Sequence, residues 1–128
     1  MEDTYLSFYL RNNRIHVFLD MLRGIGNPKY ICFLIDEKGE TLAITPYEKK
    51  DFHSHRVPNA VYHGQKSLEV SSKSLCQILA KMYDWDLDCS YRVPGKVLKN
   101  NQVAIFYLKK SFQINQVYTP AVKYMFYH

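Results

Sequence analysis

Cysteine is scarce: Cys32, Cys76 and Cys89 are the only three in 128 residues. An odd number with no short metal-type spacing gives neither a disulfide framework nor a cysteine metal site, and each thiol sits in an apolar stretch where it behaves as a small hydrophobe. That usage fits a reducing compartment. Long hydrophobic runs are missing too, since no apolar segment approaches the ~20 residues of a membrane span. The N-terminus, MEDTYLSFYLRNNR, has acids where a signal peptide would carry basic residues. The expectation is a soluble, cytosolic chain, not a membrane protein. No recognisable catalytic constellation is present, which points to binding rather than an enzyme, and no cofactor is expected.

What remains is a chain of 128 residues with 47% hydrophobic composition, the usual size of one domain, residues 1–128. Seventeen Lys and Arg against 12 Asp and Glu give a formal charge of +5. This permits attraction to a polyanion without demanding it. The basic residues are scattered, with only the pairs Lys49-Lys50 and Lys109-Lys110, while acids gather at Asp84, Asp86 and Asp88. A mixed, solvated surface is the plainer reading of this distribution.

Along the chain the order of elements repeats. YLSFYL at 5–10 reads as a strand, Asn12 or Asn13 as a cap, and Ile15, Phe18, Leu19 and Leu22 recur at the spacing of one helical face. This predicts a helix over 14–23, ended by Gly24, Gly26 and Pro28. YICFLID, the turn EKGE and TLAIT then read as a hairpin, with FHSHRV as a further extended segment. About sixty residues later the pattern returns. SLEV is a strand, Ser71 or Ser72 a cap, and Leu75, Ile78, Leu79 and Met82 form the second stripe, predicting a helix over 73–83. LDCSYRV, the turn KNNQ, VAIFYL and SFQI complete it.

The expected fold class is therefore α+β, with two tandem βαβββ halves at about 5–58 and 65–115 and an aromatic tail over 116–128. Either half alone would leave its helix stripe exposed, so both helices are expected to lie side by side on one face of an antiparallel sheet. A non-repeating α+β meander is the alternative.

This layout resembles one domain of a DNA sliding clamp, the family that includes the bacterial beta clamp and proliferating cell nuclear antigen. The local match is best at SLEVSSKSLCQILAKM, and the similarity runs from residue 5 to 114. The resemblance implies helices that present basic residues to the phosphate backbone, and domains that join edge to edge through strands; separately, open sheet edges and the aromatic tail predict a homo-oligomer, or a tail folded back as an edge strand. On these helices the candidate DNA contacts are Arg14, Arg23, Lys73 and Lys81, beside Asp20. A clamp ring uses several such domains, whereas this chain supplies one.

Other residues invite sharper readings. His53 and His55 alternate on one side of an extended segment, with His63 and Asp51 near, which is possible geometry for a metal. Exposed histidines are the plainer reading, and no metal site is assigned. Ser71, Ser72 and Lys73 lack the spacing of a serine-lysine pair, and capping explains the serines better. The three aspartates near 86 fit a solvated turn, without a basic or nucleophilic partner. Tyrosine is abundant, 11 residues, and suits half-buried strands, interfaces or base stacking. Tyr118, Tyr124, Phe126 and Tyr127 in the tail are the candidate interface residues. Two function classes thus stand: a clamp-like, DNA-associated scaffold touching phosphates on duplex DNA, or an adaptor that receives a partner peptide with no DNA involved.

Overall fold

The computed structural model describes residues 2–115. Among the described residues, nine strands and three α-helices make an α+β fold, with β1 (Glu2–Tyr9), β2 (Arg14–Phe18), α1 (Leu19–Gly24), β3 (Tyr30–Asp36), β4 (Thr41–Tyr47) and β5 (His55–Arg56) first. After them come α2 (Asn59–Tyr62), β6 (Ser67–Ser71), α3 (Lys73–Tyr83), β7 (Ser90–Leu98), β8 (Val103–Tyr107) and β9 (Phe112–Ile114).

All strands pair antiparallel in one sheet, ordered β5-β3-β4-β8-β7-β1-β2-β6, with β9 also against β7. The pairings follow a rule. β3 holds β4 and β5 as β7 holds β8 and β9, while β2 pairs with β6 and β4 with β8. β1, inserted between β7 and β2, stands outside that rule. The sheet curls so far that Phe33 and His55, from one end, line the same 180 Å³ cavity as Ser72, which follows the strand at the other end.

The hairpin turns share a device. Asn13, Glu40 and Gln102 take φ of 53°, 53° and 51°, each immediately before the returning strand. A single left-handed residue there reverses the chain, and Asn tolerates it best of the non-glycines. At EKGE the Asp36 carboxylate also accepts from the Gly39 amide at 3.1 Å.

The first predicted helix is a correction. Residues 14–18 are strand β2, and only Leu19–Gly24 are helical. Ile15 and Val17 lie opposite Phe8 and Leu6 on β1 and opposite Val70 and Leu68 on β6, so β2 is ladder-paired along both edges. Two ladders outweigh one short helix, and β-branched Ile15 and Val17 suit the pleat. The Asn pair turns a hairpin instead of capping a helix.

The second helix matches its predicted span, but its buried face differs. Cys76, Leu79 and Ala80 are buried, while Ile78 and Met82 are 49% and 39% exposed. Apolar residues cover more than half the circumference of α3, so helical spacing alone fits two adjacent stripes. Ser72 does cap it, accepting from the Leu75 amide at 3.3 Å, and Asp84 ends it at φ 53°. In FHSHRV only His55–Arg56 form a strand.

The core lies between the helices and one side of the sheet, here the helix side. Leu6, Phe8, Ile15, Val17, Met21, Leu22, Leu42, Ile44, Val93 and Phe106 are fully buried there. Each such side chain contributes roughly 1.5–3 kcal/mol relative to exposure. The Trp85 ring joins α3 to the sheet, lying 5.4 Å from Phe8 and stacked on Tyr91.

Candidate nucleic-acid interface

Both main helices occupy the helix side of the sheet. Along β7, Tyr91, Val93, Gly95 and Val97 are buried and alternate with half-exposed residues. Trp85, just beyond α3, stacks on Tyr91, and Gly24 of α1 fits so closely that an added methyl would stand 2.6 Å from Val97 Cγ1. The two helices share that side, where α1 makes contacts with β2 and β7.

The outward surface of α3 has two parallel ridges at i, i+4, i+8 spacing. Lys73, Gln77 and Lys81 form one; Ser74, Ile78 and Met82 form the other. All six are exposed, and the helix sequence KSLCQILAKMY contains no acid. Gln77 and Lys81 also border a 280 Å³ hollow with Ala80, Trp85 and Leu87. On α1, Arg23 is exposed and lines a 460 Å³ cleft with Asp20, Gly24 and Lys99. Lys99 comes from the β7–β8 turn, so sequence reasoning about helix faces missed it.

Arg14 does not belong with these three. It points to the far side of the sheet, since its neighbour Ile15 faces the core, and its Nε lies 3.3 Å from Glu69 Oε1. Parity along a strand decides this: a helix would have carried Arg14 around to the surface that Arg23 occupies, whereas in β2 it alternates away. The tail residues Tyr118, Tyr124, Phe126 and Tyr127 lie outside the described residues.

The other candidates are absorbed by local structure. Asp51 accepts from the Tyr47 hydroxyl and from the His53 amide, each at 2.7 Å. These bonds hold its carboxyl below the usual range. The His55 ring lies edge-on to Phe33 at 5.3 Å, and burial lowers its pKa. Among the described residues, no three His, Cys, Asp or Glu groups converge to hold a metal ion. The Asp86 carboxylate accepts from the Asp88 amide at 2.9 Å, and the Asp86 amide donates to the Tyr91 hydroxyl at 2.8 Å, as in a solvated turn. Burial pushes the Cys76 thiol up to about 11, and burial with Asp86 beside it raises Cys89. Both are thiols, not nucleophilic thiolates, at neutral pH.

Among the described residues no helix is long and apolar enough to cross a membrane. Comparison with known proteins finds no matching family model, no matching curated protein and no matching solved structure.

Proposed function

We propose that this chain is a non-catalytic, DNA-associated binding protein that lays the exposed surface of α3 and α1 on the phosphate backbone of a duplex. The observation that carries the reading is the acid-free ridge Lys73, Gln77, Lys81, on the same side of the sheet as Arg23 and Lys99. Long ammonium and guanidinium side chains on a convex helix surface reach phosphates more readily than base edges, so contacts of this kind are indifferent to sequence. The repeated pairing rule supports the clamp-like layout, with β2–β5 and β6–β9 as the two βαβββ halves and β1 as an addition. In that reading copies associate edge to edge through β6, which pairs only with β2 among the described strands.

The test is a titration of labelled duplexes of unrelated sequence at two salt concentrations. Backbone binding is expected to weaken steeply with salt and equally for all sequences. Absent binding at low salt would end the proposal.

One observation favours a second reading, a protein-interaction adaptor. Ile78, Met82 and Leu87 are 49%, 39% and 54% exposed on or next to the same helix. An apolar ridge of this kind, rimmed by polar groups, suits a partner peptide better than a phosphate. Salt-insensitive capture of an apolar peptide, without duplex binding, is the outcome that selects it.

A further inference from the structure

Phe52 is 103% exposed, the most open large apolar side chain among the described residues. The turn that carries it is held firmly. The Asp51 carboxylate accepts from the Tyr47 hydroxyl and from the His53 amide, each at 2.7 Å, and the Asp51 amide donates to Ser54 Oγ at 2.9 Å. Bonds on both sides of Phe52 fix its backbone, so the ring is kept in water. A single exposed apolar side chain is ordinary, but this one borders a hollow. Beside the ring lies the 180 Å³ cavity between the turn, β3, β5 and α3. Phe33, Phe52 and Ile78 give it apolar walls, His53, His55 and Ser74 give it hydrogen-bonding groups, and no Asp or Glu lines it. The His55 ring stands edge-on to Phe33 at 5.3 Å, so part of the wall is itself aromatic. The volume is about that of six water molecules in the liquid, room for one flat ring.

The surroundings are basic. Lys49 and Lys50 precede the turn, and Lys73 stands between Ser72 and Ser74, which line the cavity; all three lysines are exposed. Of the acids in the turn, Glu48 is exposed and Asp51 is engaged by Tyr47 and His53. Ammonium groups around an acid-free cavity attract an anion, while the open ring favours a flat apolar face. A nucleotide of an unpaired strand supplies both within one residue, a base for the ring and a phosphate for the lysines. A base inside a duplex cannot, because its faces are already stacked on its neighbours. An apolar peptide leaves the lysines unmatched, and a bilayer surface does not enter a cavity.

We propose that the cavity beside Phe52 receives one unpaired base of a DNA strand, stacked on the Phe52 ring, with Lys49, Lys50 and Lys73 on the flanking phosphates. The inference rests on the DNA-associated reading and adds to it a site for a single strand, apart from Lys81 and Arg23.

Fluorescence anisotropy on the full chain tests it with three labelled probes: a short oligothymidylate, the same backbone without bases, and a blunt duplex. The base-bearing strand is expected to bind about tenfold more tightly than the abasic one, the worth of one stacked base. Phe52→Ala should erase that preference and Phe52→Trp should keep it, with the urea midpoint of both variants unchanged because the ring lies in solvent. Lys49→Ala with Lys50→Ala should weaken both strands alike, since phosphates are common to them. Equal affinity for the two strands, or a preference that survives Phe52→Ala, overturns the proposal. Binding of the duplex alone removes this site and leaves the DNA-associated reading in place, whereas no binding of strand or duplex at low salt removes both. Loss of an apolar peptide or of anionic vesicles on Phe52→Ala, with strand binding untouched, also overturns it.

Discussion

The indole of Trp85 stacks on the ring of Tyr91 with centroids 4.8 Å apart and planes 9° from parallel. Its Nε1 donates to Ser111 Oγ at 3.2 Å, so one side chain ties the end of α3 to β7 and to the segment before β9. Trp85→Ala is expected to cost about 3–5 kcal/mol, as for a large aromatic removed from a packed site. Trp85→Phe, which keeps a ring but loses the hydrogen bond, should cost clearly less. Urea unfolding followed by circular dichroism checks both, and equal losses would refute the role given to the ring.

Two glycines differ in what an added methyl would meet. At Gly95 it would collide with the Ile105 carbonyl oxygen and the Phe106 ring, and at Gly24 with Val97 Cγ1. A backbone carbonyl held in a ladder cannot move as a valine can, so Gly95→Ala is expected to cost about 1–3 kcal/mol or more. Gly24→Ala should cost less, because Ala regains up to about 1 kcal/mol of helix propensity. The order of the two unfolding midpoints is the measurement, and a reversal would contradict it.

Burial lowers the pKa of His16 below its usual 6.5, with Glu69 opposing, and burial lowers that of His55. The unfolded chain then binds protons more tightly than the folded one. Stability is fully present above 6.5 and is lost as pH falls through the depressed folded values. The urea midpoint should therefore drop between about pH 8 and about pH 5.5, and His16→Gln with His55→Gln should flatten that slope. An unchanged slope in the double variant would remove both histidines from the account.

Duplex binding should separate Arg14 from the other three basic residues. Arg23→Ala with Lys81→Ala is expected to weaken binding to all sequences alike and to reduce the salt slope by about 2, roughly one for each lost phosphate contact. Arg14→Ala should leave binding unchanged, since that side chain sits on the far side against Glu69. A comparable loss from Arg14→Ala would mean that the wrong side of the sheet has been assigned.

What the sequence determined by itself is what short-range physics decides. Ser72 before LCQILAKMY carries both the cap and the span of α3, and EKGE and KNNQ carry their hairpin reversals, because each is settled within a few residues. Residues 14–18 were not legible in that way. Ile15, Phe18, Leu19 and Leu22 satisfy a helical stripe, but they also satisfy a strand followed by one and a half turns of helix. Only the edges offered by β1 and β6 choose between them, and those partners lie far apart in sequence. The candidate site divided along the same line. Lys73 and Lys81 share a ridge because an intact helix spaces them. Arg14 left the group when a change of period reversed its direction, Lys99 joined Arg23 through a turn seventy-odd residues away, and the exposure of Ile78 and Met82 followed from which side of α3 met the curled sheet. Helix and strand parity belong to the local chain once the element type is known, but the element type at 14–18 and the buried side of α3 were tertiary decisions, made by long-range pairing and packing.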